Sequence, residues 1–252
     1  MPTDILNVSR SLTPTIGAYE LGYAKTLNVA AKMQEYYTGV GLPMNQTWDM
    51  DMNTYDMFTK YQAPIVDLVQ LAIMNPATMD PFDISGTAEY LYDNMELNQD
   101  GTITPSISLP SGMTGKRFIV LTHRNSIQTW SDSVDFACLS VDYNFYTHPI
   151  STLFPNNMLV DSAAGVYHGS LIFGGDIDDP ANYLFRDGVV NIFDLSSVFD
   201  AINDPTGLLS AGYVPNDLTG DGVVDIFDLS LVFDNLNKGA ASVNPGTLKK
   251  KK

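Results

Sequence analysis

Between residues 24 and 148, apolar side chains recur at every second position in several short runs. Leu27, Val29, Ala31 and Met33 alternate with Asn, Ala and Lys, and the same period returns at Val69, Leu71 and Ile73 and at Val141, Tyr143 and Phe145. A period of two puts one set of side chains on a single face, so each run predicts a half-buried β-strand. Residues 118–122, Phe-Ile-Val-Leu-Thr, are a mostly apolar run of strand length. Turn-forming residues separate the runs at 98–101 (Asn-Gln-Asp-Gly), 110–112 (Pro-Ser-Gly) and Asn125-Ser126. Many short strands between such turns predict an antiparallel β-sandwich over 24–148. Residues 39–60, rich in Met, Asn, Asp and Tyr, are expected to form a long loop between strands, and 149–172 a linker with a connecting strand.

Near the C-terminus the period changes. Leu195, Val198, Phe199 and Ile202, and again Leu229, Val232, Phe233 and Leu236, fall at i, i+3, i+4 and i+7, the spacing of an amphipathic helix. The predicted fold class is therefore mainly β: an antiparallel sandwich followed by a small α-helical pair within 173–238. Residues 1–23 and 239–252 flank these units.

The two helical stripes belong to an internal repeat. Residues 187–203 and 221–237 are identical at 13 of 17 positions, at an offset of 34. Two copies are too few for a solenoid and suggest a pair closing on itself. In the second copy Asp217, Thr219 and Asp221 stand at positions 1, 3 and 5 of a twelve-residue loop. Gly222 follows at position 6, Val223 at 7, Asp225 at 9 and Asp228 at 12. That is the oxygen-ligand spacing of a calcium loop, with glycine for the sharp turn and the Val223 carbonyl at position 7. No helical stripe precedes Asp217, so each unit reads as loop then helix.

In the first copy, counting back from Asp194 puts Tyr183 and Phe185 where carboxylates are needed. Asp176 and Asp178 lie just upstream with the spacing of positions 1 and 3. Joined to Asp187, Val189, Asn191 and Asp194, they complete a loop holding a seven-residue insertion within 179–186. The other reading is a first loop that is purely structural and binds nothing.

Charge sharpens this picture. Thirteen Lys and Arg stand against 29 Asp and Glu, a formal charge of −16. Such a surface repels phosphate backbones and anionic lipid, which argues against nucleic-acid and membrane-surface partners and for divalent cations. Twelve Asp and no Glu fall between residues 176 and 237, a composition suited to loops and ligands and poorly suited to helix interiors. The single cysteine, Cys138, excludes an intramolecular disulfide and is expected to be a small buried hydrophobe. No run of 18 apolar residues offers a membrane span, and the first residues lack a signal-peptide pattern. The chain is then either cytoplasmic or the downstream part of a longer exported one.

The tandem loop-helix units resemble the dockerin family over residues 173–238. The matching positions are Asp217, Thr219, Asp221, Asp225 and Asp228, with Asp187, Asn191 and Asp194 from the first copy. The resemblance implies folding on calcium and docking to a cohesin-like module. It departs at the interrupted first loop and at Thr219, where Asn or Asp is usual. Positions 10 and 11, which help read cohesin in the family, are Ile192-Phe193 and Ile226-Phe227. Being large and apolar, they suit a partner surface or packing against the preceding domain, and packing is the expectation.

Upstream, residues 118–131 (Phe-Ile-Val-Leu-Thr-His-Arg-Asn-Ser-Ile-Gln-Thr-Trp-Ser), with 27–29, 36–39, 141–145 and 174–176, resemble a β-sandwich module that precedes dockerin-like repeats in large bacterial secreted and surface proteins. That resemblance implies a non-catalytic module. Residues 14–20 resemble the last coil of a parallel β-helix, which implies a larger chain before Met1.

Catalysis finds little footing. His123, with Arg124, Ser126 and Asp132 nearby, is expected to be a structural histidine at a strand end, because a triad converges in space and not along the chain. No nucleophile elbow and no zinc-protease motif is present. Asp80, Asp83, Asp93 and Glu96 read as surface acids. Trp48 and Trp130 read as packing residues, with a sugar-stacking face the lesser alternative. Lys249–Lys252 reads as a solvated tail. The sequence thus predicts a non-catalytic, calcium-binding region of a secreted bacterial surface protein with two calcium sites. It acts in stabilisation, adhesion or attachment. The alternatives are a true dockerin attaching a polysaccharide-degrading enzyme to a cohesin-like scaffold, and a self-associating surface or filament subunit. A surface polysaccharide is a further partner class.

Overall fold

A computed structural model describes residues 25–51, 53–79, 84–148, 157–177, 187–207 and 211–241. Residues 1–24, Asp80, Asp83, Asp178, residues 179–186 with the expected insertion, and the lysine tail lie outside the described residues.

The alternating runs become strands with their apolar sets inward. Lys25–Ala30 (β1), Ile65–Met74 (β4), Tyr90–Asn98 (β5), Thr102–Leu109 (β6), Lys116–Thr122 (β7), Thr129–Trp130 (β8), Val134–Asp135 (β9) and Ser140–Asn144 (β10) form one sheet. Its order is β10-β1-β6-β5-β4-β7-β8, with β9 also paired to β7. The sheet curls over, so that Leu27, Ile107 and Val141 from one side share a core with Leu71, Leu97 and Leu121 from the other. This is the sandwich that the alternation predicts. On its outer face Ala72, Met74 and Val120 are covered by Trp130, which is buried as a packing residue.

Several expectations change. The sheet is mixed rather than antiparallel throughout, because β10 returns beside β1 in parallel, pairing Leu27 with Val141 and Val29 with Tyr143. Residues 39–60 are not simply a loop: Trp48–Met50 (β2) and Met57–Thr59 (β3) pair as a hairpin. The stretch before the repeats carries a second hairpin, Met158–Ala163 (β11) with Val166–Ile172 (β12), and buried Ile172 joins the sandwich core. Cys138 is exposed. Phe136, fully buried, takes the inward position there, and the chain then turns outward before β10.

The short helix α1 (Ile84–Thr87) lies between β4 and β5, and the repeats supply α2 (Ile192–Ile202) and α3 (Ile226–Lys238). Val198 and Val232, equivalent in the two copies, are fully buried between the helices. Leu218, Val224 and Ile177 from the loops complete this second core, together with Ile127 from the sandwich. Phe199 and Phe233, assigned inward by the helical period, point outward instead. The two helices are short enough that one valine each, with Ala201 and flanking leucines, fills the space between them.

Leu71 sits in mid-sheet between Tyr92 on β5 and Leu121 on β7. Leu71→Ala is expected to lower unfolding free energy by about 2–5 kcal/mol, the range for a buried leucine whose cavity does not collapse. Denaturant unfolding in calcium-containing buffer checks it.

Candidate metal centre and its seat

Residues 217–228 form a tight loop built on two fully buried carboxylates. Asp217 accepts from the amides of Gly220 (2.8 Å) and Gly222 (2.9 Å). Asp228 accepts from Leu218 and Thr219 (2.8 Å each) and, through its second oxygen, from Asp225 (2.8 Å). Gly220 and Gly222 have φ of 73° and 87°, in the region that favours glycine. Asp225 caps α3 through Phe227 N (2.7 Å), and with Asp228 makes a reciprocal capping box.

The first copy repeats this frame. Asp194 accepts from Ile177 N and from Asn191 N (2.7 Å), so it holds the chain after Asp176 as Asp228 holds the chain after Asp217. Asn191 caps α2 as Asp225 caps α3. Asp176 is fully buried, as Asp217 is. Asp187 is exposed and accepts from Val189 N (2.8 Å) and the Asn191 side chain (2.9 Å).

Among the described residues, no three His, Cys, Asp or Glu side chains gather closely enough to hold an ion. Asp217 and Asp228 are brought together. Asp221 bonds Val223 N (3.0 Å) and Asp225 caps its helix, while Thr219 Oγ1 lies 3.5 Å from Asp217. The donor set is nevertheless all oxygen, as a hard divalent cation requires. Burial raises the Asp217 carboxyl to about 7; Arg124 opposes this, and the neighbouring Asp228 and Asp221 add to it. Burial also raises Asp228, against the amides that bond it. Two adjacent acids that resist ionisation together fit a site completed by a cation.

The loop rests on the sandwich. Arg124, just beyond β7, donates to the carbonyls of Val214 and Asp217 (3.2 Å) and through Nε to Asp67 (3.1 Å). Asp67, on β4 and fully buried, also accepts from Tyr36 (2.8 Å) and Tyr213, and its Oδ2 lies 3.1 Å from His123 Nε2. Burial alone would raise the Asp67 carboxyl, but Arg124 and then His123 hold it well below the usual carboxylate range. Burial likewise works to lower His123, and Asp67 and Glu35 reverse it, so the imidazole is raised. The hairpin contributes Trp48 N to Gly220 O (2.7 Å) and Asp49 to Tyr213 N (2.9 Å).

His123 is buried in a charged setting. Its Nδ1 lies 3.1 Å from Ser126 Oγ, but both residues are buried within the network and present no face to solvent. Asp93 and Glu96 lie on β5 and accept from Gln70 and Thr104, apart from this network.

Two features escaped the sequence reading. Two of the four differences between the copies face the sandwich: Leu231 replaces Ser197 and packs beside Gly174, and Asn235 replaces Ala201 and bonds Gly174 O (2.9 Å) and Gln34 (2.7 Å). Asp67 was also missed, although an aspartate inside the apolar run 65–74 was a signal. The apolar pairs, expected to pack against the preceding domain, do not. Ile192 and Phe193 are 60% and 68% exposed, and Ile226 and Phe227 63% and 67%. They occupy the first turn of each helix, directed away from the shared core by the caps that start it.

No family model and no curated protein matches the chain. Among solved structures it is similar to two type II cohesin–X-dockerin complexes from Acetivibrio cellulolyticus, described as a C-terminal and an N-terminal interface mutant. Identities are 14% and 15% and TM-scores 0.46 and 0.45, each covering 86% of this chain and 97% of that one. At that level of likeness nothing about function follows.

The raised Asp217 carboxyl has a sign that can be measured. Unfolded, it ionises near 4, and folded without a cation it keeps its proton to about 7. Across that interval the folded chain binds more protons, so its stability falls as pH rises. Raised His123 extends the fall above its ordinary value of about 6.5, its contribution being lost as pH climbs through its folded pKa. Melting temperature in chelator is therefore expected to drop between about pH 4 and 7, and saturating calcium to flatten most of that slope.

Proposed function

We propose that this chain is a non-catalytic, calcium-stabilised docking region of an exported protein, in which the sandwich seats a dockerin-like pair. The observation that carries this reading is the exposure of Ile192-Phe193 and Ile226-Phe227 at equivalent first-turn positions. Four large apolar side chains at repeat-related sites suit a partner face better than a solvated surface. The dockerin-like sequence pattern names the partner class: a cohesin-like module.

Calcium is the proposed cation. Asp217, Thr219, Asp221, the Val223 carbonyl, Asp225 and Asp228 would hold it in the second unit. Asp176, Asp178, Asp187, the Val189 carbonyl, Asn191 and Asp194 would do so in the first. The ion neutralises clustered carboxylates and fixes the loop, which places the helix carrying the apolar pair. Extracellular calcium modules work at 10⁻⁴–10⁻³ M, a supply that suits an exported chain.

Calcium titrated into chelator-stripped protein is expected to bind with a rise in melting temperature of several degrees; 100-fold excess over Kd adds about 2.7 kcal/mol of stability. Absence of heat and of any shift would sink the calcium reading. With calcium present, replacing Ile192, Phe193, Ile226 and Phe227 by serine is expected to weaken capture of a cohesin module by more than about tenfold, since a few apolar anchors carry most binding energy. Calcium affinity should be unchanged. Concentration-dependent light scattering abolished by the same substitutions would instead favour a self-associating subunit.

A further inference from the structure

The turn at residues 123–127 touches the loop-helix pair at several points. Arg124 reaches the carbonyls of Val214 and Asp217, and Asn125 Nδ2 reaches the same Asp217 carbonyl (3.1 Å). The Asn125 carbonyl accepts from Gly175 N (2.7 Å), immediately before Asp176, and Ile127 N donates to Phe173 O (3.0 Å). Ser126 forms a bridge with Gly174. One five-residue turn therefore grips the start of both repeats, at the residues leading into Asp176 and at Asp217 itself. The turn is in turn fixed to β4 by the Arg124–Asp67 contact and to β1's continuation through Ser126 and Glu35.

The far side of the second loop is equally confined. A Cβ at Gly220 would lie 2.8 Å from the Tyr36 ring and 3.0 Å from Thr47, so this loop backbone lies directly against the sandwich. The first copy is seated differently. Val190 N bonds Ala240 O (3.0 Å) and Val189 bridges Ala241, so that strand segment leans on the chain after α3 and not on the sheet.

We propose that Arg124 and Asn125 are positioning residues for the cation site of the second loop, so that calcium binding at 217–228 and the order of the sandwich turn are coupled. This inference rests on the calcium reading above. Neither residue touches the ion. They fix the backbone that carries Asp217, which removes much of the ordering cost that a free loop meets on binding. Coupling is reciprocal: if the turn tightens the site, an occupied site stabilises the turn by the same free energy.

The conservative variant Arg124→Lys keeps a cation beside Asp67 but loses the fork that reaches two carbonyls at once. In calorimetric titrations of the full chain, Arg124→Lys and Asn125→Ala are each expected to weaken one of the calcium sites by roughly 10–100-fold, as loss of outer-shell partners does, and leave any other site unchanged. Wild-type protein supplies an independent readout that needs no variant. Calcium is expected to slow amide exchange at residues 35–36 and 123–127 in parallel with 218–222. Unaltered affinity in both variants, or protection confined to 217–228, overturns the coupling while leaving the calcium reading intact. A wild-type chain that binds no calcium overturns both.

Discussion

Burying a carboxylate costs several kcal/mol unless an opposite charge and hydrogen-bond donors surround it, and Asp67 meets that demand by drawing donors from three parts of the chain. Tyr36 comes from the segment after β1, His123 and Arg124 from the turn after β7, and Tyr213 from the approach to the second loop. Each donor is thereby placed for a second task. Arg124 goes on to the loop carbonyls, with its guanidinium 4.2 Å from the centre of the Tyr213 ring. Removing the anion would leave Arg124 without the partner that orients it, so the seat and the sheet are one electrostatic unit.

This explains why the loop-helix pair and the sandwich share an interface rich in polar contacts. Its apolar part includes Ile127, Phe173 and Leu159, which join the helical core, and Leu231 beside Gly174. The remainder is main-chain recognition: Gly175, Gly220, Val214 and Asp217 all offer backbone groups to the sandwich. A buried polar interface of this kind specifies one arrangement, because each group left without its partner carries a desolvation cost. The second copy has been adapted to it at Leu231 and Asn235, while the first keeps Ser197, bonded to Asn216 (2.9 Å), and Ala201.

Much of the fold was legible because a period of two is a property of the chain itself. Leu27, Val69, Leu71 and Val141 all face the core as their alternation requires. Alternation does not say which strand lies alongside, so the parallel partnership of β1 and β10 was invisible, and strands of three residues such as β2 and β3 are too short to show a period. The repeat exposed the loop residues, since Asp217 and Asp228 are fixed by local amides within eleven residues of each other. The seat was not legible: Arg124 and Asp67 are separated by 57 positions, and nothing in either neighbourhood requires the other. The outward course of Phe199 and Phe233 was hidden because the helical period assigns a face without stating how wide the neighbouring helix is.

The contacts that hold the second loop have one further consequence. Trp48, Arg124 and Asn125 address peptide carbonyls, which every residue type presents alike. The grip is therefore indifferent to most side chains in the loop it holds. Ligand positions such as Thr219 and Asp221 can be redesigned for a cation of another size without removing a carbonyl contact, whereas Gly220 cannot be replaced, and Asp217, Asp225 and Asp228 also shape the loop and start its helix. Metal preference can therefore be retuned at positions 3 and 5 while the remaining ligand positions stay tied to the architecture.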